Sequence, residues 1–105
     1  METEKIKTEY GFIEYFETDN VSFNLETILP KKRTPEFYLK RNYGYLIVID
    51  GILNSPDGVM KEKDVVIIKP KQKFWVENQT DKEVKFLAVD IPKVEESDVV
   101  WLTEK

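Results

Sequence analysis

The sequence of 105 residues contains no cysteine and no histidine. Without cysteine there is no disulfide framework, which suits a reducing compartment, and we expect a cytoplasmic protein. Without histidine the chain lacks the side chain that most readily serves as a general base or a metal ligand near neutral pH. Catalysis by a cysteine nucleophile is therefore excluded, and any general base would have to be a residue whose pKa is shifted by its surroundings.

Long apolar runs and an excess of positive charge are also absent. The longest apolar runs, at 45–49 and 65–68, are too short to cross a bilayer, and the opening METEKIKTEYGF has no apolar stretch typical of a signal peptide. Sixteen Lys and Arg residues against 20 Asp and Glu residues give a net charge of −4. We therefore expect neither nucleic acid nor a membrane as a partner. The high Glu and Lys content is compatible with a thermophilic source.

What the chain does contain is a series of short β-branched and aromatic runs separated by turn residues. The pattern predicts a single all-β domain over 1–105, either a sandwich or a small closed barrel, with one helical turn near Glu95–Asp98. The predicted strands cover 10–17, 21–29, 36–41, 44–53, 59–61, 64–69, 73–78, 83–91 and 99–102.

One stretch resembles the first motif of the cupin family, whose members are small β-barrels built as a double-stranded jelly roll. That motif, G-x5-H-x-H-x4-E-x6-G, fits when its last glycine is placed on Gly51. Its two histidines then fall on Phe37 and Leu39, its glutamate on Gly44 and its first glycine on Lys31. The resemblance implies a cupin barrel.

The second cupin motif, G-x5-P-x-G-x2-H-x3-N, resembles the stretch that begins at Lys63. Its proline and second glycine fall on Lys69 and Lys71, its histidine on Phe74 and its asparagine on Asn78. A weaker resemblance, carried by Tyr10-Gly11 and the tail ESDVVWLTEK, is to the cupin domain of type II phosphomannose isomerases.

The resemblance locates a metal site that this chain does not reproduce. A metal cupin holds Fe, Mn, Ni or Zn with imidazole and carboxylate ligands, which offer lone pairs to such ions. At the four equivalent positions, Phe37, Leu39, Gly44 and Phe74 offer none. We therefore expect no metal and no other cofactor. We favour a barrel interior filled by these side chains, with Gly44 relieving crowding beside the two phenylalanines.

The alternative is an open interior in which the same four residues line an apolar pocket for a small ligand. Polar groups at its mouth would then be Arg41, which shares strand parity with Phe37 and Leu39, together with Tyr45 or Tyr43 at the turn and Asn78. Asn78 also has a structural interpretation, as a turn residue that binds local backbone.

Acid–base catalysis without a metal would need a carboxyl group whose pKa is raised by burial. Glu26 and Asp90 are the candidates, but on ordinary burial preferences we expect each at the surface or at the rim. We therefore assign no catalytic residue and do not expect an enzyme, although a metal-independent sugar isomerase or epimerase stays an alternative.

Trp75 has the opposite strand parity to Phe74, so it should point out of the barrel, where tryptophan often anchors an interface. We predict a homodimer with Trp75 at its interface; alternatively, an N-terminal strand or the tail around Trp101 covers this side chain. The leading functional hypothesis is a metal-free cupin that binds a small molecule, a sugar or sugar phosphate. The alternative is a structural homodimerisation module.

Overall fold

The computed structural model describes residues 3–102, in which ten strands and one 3₁₀ turn alternate with short connections. No helix in this part of the chain is long and apolar enough to span a membrane. The elements are β1 (Glu4–Lys7), β2 (Gly11–Glu17), β3 (Ser22–Ile28), β4 (Glu36–Leu39), β5 (Tyr43–Asp50), β6 (Leu53–Ser55), β7 (Gly58–Met60), β8 (Val65–Ile68), β9 (Val84–Ile91), the 3₁₀ turn (Glu96–Asp98) and β10 (Val99–Leu102).

The strands form two layers that face each other. One layer is a six-stranded antiparallel sheet in the order β1-β2-β3-β9-β5-β8. The other contains the pairs β10-β4 and β6-β7, which single bridges at Phe74 and Glu77 connect. The predicted double-stranded jelly roll is confirmed, but the two layers form a sandwich and not a closed barrel.

Side chains of the six-stranded sheet alternate between an inner face, turned toward the second layer, and an outer face. On β5 the buried residues Gly44, Leu46 and Val48 alternate with the more exposed Tyr43 and Tyr45. The buried core between the layers consists of Ile28, Leu46, Val48, Leu53, Met60, Ile68, Phe74, Val76, Val84 and Phe86.

The outer face is also largely apolar, and five of its large side chains are exposed: Tyr43, Tyr45, Val65, Ile67 and Ile91. The registers of the five strands β2, β3, β9, β5 and β8 place its residues side by side. We call the following set the outer face: Phe12, Phe16, Phe23, Leu25, Tyr43, Tyr45, Ile47, Val65, Ile67, Leu87, Val89 and Ile91.

Three strand predictions were wrong. The edge strand β1 was missed because its sequence, EKIK, is polar and exposed throughout. The predicted strand 44–53 is interrupted at Gly51, whose φ of 103° separates β5 from β6. The predicted strand 73–78 pairs only at isolated bridges. The helical turn near Glu95–Asp98 is confirmed as the 3₁₀ turn.

Three lysines in the two motif stretches adopt the left-handed backbone that glycine favours. Among residues 3–102, the non-glycine residues with positive φ are Lys31 at 64°, Lys63 at 75° and Lys71 at 69°. These lysines stand on three of the four motif positions that carry glycine in the cupin pattern, and Gly51 occupies the fourth. Since left-handed backbone disfavours residues with a Cβ, their coincidence with the glycine positions supports the motif alignment.

Candidate functional site

A cavity of about 140 Å³ lies between the six-stranded sheet and the β4-β10 pair. The expectation of a filled interior was therefore wrong, and the alternative of an open, mostly apolar interior describes the structure. Phe37, Leu39, Gly44 and Phe74 all line this cavity. The motif alignment thus correctly grouped four residues that lie around one cavity. Their role in binding a ligand stays a prediction.

One wall of the cavity is aromatic and belongs to the second layer. Phe37 and Phe74 exchange two backbone hydrogen bonds, of 3.0 Å and 2.8 Å, which fix their side chains next to each other. Trp101 lies opposite Phe37 across the β10-β4 pair, with 5.5 Å between the ring centroids. Trp101 is 54% exposed, so this ring stands where the cavity meets solvent.

The opposite wall is the inner face of the six-stranded sheet, and it contains two carboxyl groups, Glu26 on β3 and Asp90 on β9. The predicted surface or rim location was wrong for both. In the β3-β9 register Glu26 stands beside Phe86 and Asp90 beside Ser22. The pair Asn24–Ala88 lies between them and also lines the cavity.

Gly44 makes room for one of these carboxylates. A Cβ at this position would lie 3.0 Å from Oδ1 of Asp90, while the side chains of Ile68 and Leu39 are 3.6 Å and 3.7 Å away. The idea that Gly44 relieves crowding beside phenylalanines was therefore wrong. Its missing side chain is matched to Asp90, its cross-strand neighbour.

The surroundings shift the pKa of three groups at the cavity. Burial, reinforced by the negative charge of Asp90, raises the pKa of Glu26 to about 8. Burial alone raises the pKa of Asp90 to about 6. Burial, and then the charge of Glu26, raises the pKa of Tyr10 to about 12. Desolvation disfavours the charged form of each group, so the site is less anionic near neutral pH than its composition suggests.

Arg41 does not belong to the cavity, so its predicted place in the barrel interior was wrong. Its Nε donates a 2.8 Å hydrogen bond to Oδ1 of Asp98, and its guanidinium also donates to the carbonyl of Lys93. The side chain is half exposed and secures the connection between β9 and β10.

Asn78 is fully buried but likewise does not line the cavity, and its structural interpretation is the one observed. Its Nδ2 donates to the carbonyls of Ile28 at 3.0 Å and Lys82 at 2.7 Å. Its Oδ1 accepts hydrogen bonds from the backbone and the hydroxyl of Thr80. The side chain thus holds the turn before β9 and has no free group for a ligand.

Trp75 is half-buried, beside the cation Arg33 of the preceding connection. The guanidinium of Arg33 lies over the ring at 4.1 Å from the centroid, a cation–π contact. The role of Trp75 in an interface stays a prediction.

Solved structures similar to this chain have the same fold. An uncharacterised conserved protein with a double-stranded β-helix domain from Klebsiella pneumoniae subsp. pneumoniae MGH 78578 superposes with a TM-score of 0.77 at 16% sequence identity, covering 94% of this chain and 90% of that chain. Oxalate decarboxylase from Bacillus subtilis superposes with a TM-score of 0.83 at 18% identity, covering 94% of this chain and 30% of that chain.

These comparisons define the class of fold: the chain is a double-stranded β-helix, the fold of the cupins. It spans about 30% of the length of the oxalate decarboxylase chain. No family model matches the sequence, and no curated protein matches it either.

The oxalate decarboxylase of Bacillus subtilis contains Mn(II) centres, but the residues of this cavity do not fit such an ion. The four positions that the motif alignment equates with metal ligands carry Phe37, Leu39, Gly44 and Phe74, whose side chains have no lone pair to donate. Within residues 3–102, no group of three carboxylates is arranged to hold a metal. The chemistry of the site must therefore be sought in the carboxyl groups and aromatic rings.

Proposed function

We propose that this protein binds a small molecule in the cavity between its two layers, without a metal. The observation that carries the proposal is the environment of Asp90. This side chain is only 7% exposed and lines the cavity, and its carboxylate accepts no hydrogen bond from any of residues 3–102. A buried polar group without a partner is costly, and such groups in native structures commonly serve a ligand. The cavity volume resembles that of an engineered cavity of about 150 Å³ that binds benzene.

The charge of the cavity argues against one of the ligands predicted from the sequence. None of its lining residues is Lys or Arg, whereas two are carboxylic acids. A phosphate group would meet like charges and no cation, so a sugar phosphate fits poorly. An unphosphorylated ligand, whose hydroxyl or ammonium groups donate to Glu26 and Asp90 while its apolar face contacts the aromatic wall, fits better.

Thermal unfolding with a panel of small ligands tests this function, because a ligand that binds the folded state raises the Tm. We expect unphosphorylated sugars or amines to raise the Tm, and sugar phosphates not to do so. Ala88→Leu, which places a larger side chain in the cavity, should abolish the shift. Val89→Leu, its neighbour on the outer face, should preserve it. If no ligand class stabilises the wild-type protein, the proposal fails.

A second function, homodimerisation, is favoured by the outer face. It is five strands wide, roughly 24 Å, and up to eight residues long, roughly 26 Å, at ordinary strand dimensions. That extent is comparable to the surface that each partner contributes to a stable interface. A second copy of the chain offers the same apolar surface, so we propose a dimer formed through this face, and sedimentation of the wild-type protein at micromolar concentration should show it.

A third function, metal-independent sugar isomerisation, draws support from the two carboxyl groups whose pKa values lie on either side of neutrality. A protonated Glu26 and an ionised Asp90 would supply an acid and a base in one cavity. Solvent-deuterium incorporation into a bound sugar is the test, and the absence of exchange with every sugar that binds would remove this function.

A further inference from the structure

We propose that the ligand is a small organic ammonium ion, held by Asp90 and Glu26 against the aromatic wall of the cavity. This inference rests on the proposed function, small-molecule binding, and specifies its ligand class. It follows from the unpartnered carboxylates, from the charges around them and from the rings that face them.

The two buried aspartates, Asp98 and Asp90, differ in their hydrogen bonds. Asp98 shows how this chain pairs a buried carboxylate that has a structural role. Asp98 is 5% exposed, accepts hydrogen bonds from Nε of Arg41 and from the backbone N–H of Glu95, and its pKa is lowered chiefly by that backbone bond and by Arg41. Asp90 is 7% exposed, yet no residue in the described chain donates to its carboxylate. The difference indicates that the partner of Asp90 is supplied from outside the chain.

Glu26 and Asp90 lie at opposite ends of the inner face of β3 and β9, which we call the floor of the cavity. Their positions are four residues apart in the β3-β9 register, about 13 Å along the strands, with the small residue Ala88 midway between them and Gly44 beside Asp90. Glu26 also lacks a hydrogen-bond donor among residues 3–102. A ligand that lies on this floor meets a carboxyl group at either end, Glu26 or Asp90.

The other titratable groups near this floor do not neutralise the two carboxylates. Tyr10 and Tyr45 line the cavity, and Tyr15 and Glu17 lie on the same inner face on β2. Burial raises the pKa of Tyr10 and of Tyr15, so both phenols are neutral at pH 7. Glu17, whose pKa is lowered chiefly by its hydrogen bond with Tyr15, is negative and forms an ion pair of 3.4 Å with Nζ of Lys93. The remaining elements around the cavity, β4, β8 and β10, contribute no titratable lining residue in the part of the chain described.

The wall opposite the carboxylates suits a cation that carries apolar groups. Phe37, Phe74 and Trp101 line the cavity on this wall, and an aromatic face attracts an ammonium group by about 0.5–2 kcal/mol, most when water is excluded. At pH 7 Asp90 is mostly ionised and Glu26 mostly protonated. The two carboxyl groups then carry close to one negative charge. A monovalent cation balances this charge, a neutral ligand leaves it uncompensated, and an anion adds a second negative charge.

Three probes of similar shape separate these ligand classes: benzylammonium, benzyl alcohol and benzoate. Isothermal titration calorimetry at pH 5 and pH 7 should show benzylammonium binding most tightly. If the cation binds only the ionised form of Asp90, its affinity increases about tenfold between these two pH values. The affinity of benzyl alcohol should stay constant, and benzoate should not bind at pH 7.

Asp90→Asn should weaken benzylammonium binding at least tenfold at pH 7 and remove its pH dependence. Asp50→Asn, the same change at an exposed position on β5, should alter neither. The pH dependence of the wild-type protein provides the same test if the Asp90 variant does not fold.

Failure of this inference is distinguishable from failure of the proposed function. Equal or tighter binding of benzyl alcohol or benzoate, or a benzylammonium affinity that is independent of pH, overturns the ammonium ligand but leaves a small-molecule site. Absence of binding by benzylammonium at 10 mM on the folded protein, while the wider panel raises the Tm, likewise overturns only the inference. Absence of any effect in both experiments overturns both.

Discussion

Over residues 22–26 of β3, the two faces of the six-stranded sheet reverse the usual distribution of polarity, although the rest of the inner face carries the apolar core. On β3 the inward residues Ser22, Asn24 and Glu26 are polar, while Phe23 and Leu25 point outward. A soluble monomer normally buries its apolar face and hydrates its carboxylates. Each departure lowers the stability of the isolated chain, and each lies where a partner is proposed above: a ligand at the inner face and a second copy of the chain at the outer face.

The largest expected effect concerns the inner face and pH. The pKa of Glu26 is raised in the folded protein to about 8 from an unfolded value near 4.5, so the folded state binds the proton more tightly. Stability is then highest at low pH and is lost as the pH increases toward 8. For Glu26 alone this loss is about 4 kcal/mol between pH 5 and pH 9. Urea denaturation at these two pH values measures it.

Glu26→Gln should remove most of this pH dependence because the neutral amide does not titrate. Glu14→Gln on the opposite face of the neighbouring strand β2 should leave it unchanged. A wild-type protein that is as stable at pH 9 as at pH 5 would contradict the burial of an unpartnered carboxyl group.

The next effect concerns the outer face. Ile67→Lys places a charge in the middle of the proposed dimer interface, and we expect the dimer dissociation constant to increase by about a hundredfold, or about 3 kcal/mol. Analytical ultracentrifugation measures the change. Val59→Lys, at an exposed position on β7 outside the outer face, should leave the dimer intact. Dissociation by Trp75→Ala and not by Ile67→Lys would favour the interface predicted from the sequence.

A smaller effect is expected from a change at Gly44, which tests whether this glycine is matched to Asp90. Gly44→Ala brings a methyl group to 3.0 Å from Oδ1 of Asp90, and we expect a loss of about 1 kcal/mol in the free energy of unfolding. In an Asp90→Ala background the same change should cost nothing or stabilise slightly. Equal costs in both backgrounds, measured by urea denaturation, would show that the glycine is not matched to this carboxylate.

The smallest effect lies in the turns and should leave both faces unchanged. Lys63 has a φ of 75°, so Lys63→Gly relieves backbone strain, and we expect a gain of about 0.5–1 kcal/mol in stability. Lys61→Gly in the same turn should destabilise, because Lys61 is not among the residues with positive φ. Ligand affinity and dimerisation should be unaffected by either variant, and a loss of stability in Lys63→Gly would contradict the strain.

The amino-acid sequence alone was sufficient for the class of fold and for part of the site. Turn residues and β-branched runs predicted an all-β domain, and the motif spacing placed Phe37, Leu39, Gly44 and Phe74 around one cavity. The spacing of the motif predicts these positions because turns and motif positions are local features of the chain. The same local patterns could not separate an open cavity from a filled one, which depends on how the two layers pack.

The presence of two carboxyl groups in the site is determined only by the tertiary structure. A strand presents two equivalent parities, and the more apolar parity of β3, with Phe23 and Leu25, is the natural candidate for the core. The polar alternation at Ser22, Asn24 and Glu26 was the one signal that could have revealed the inner face. Glu26 and Asp90 are 64 positions apart in the sequence, from 26 to 90, and only the pairing of β3 with β9 brings them to one cavity. Their shifted pKa values follow from that packing, because burial is a property of the folded protein and not of the chain.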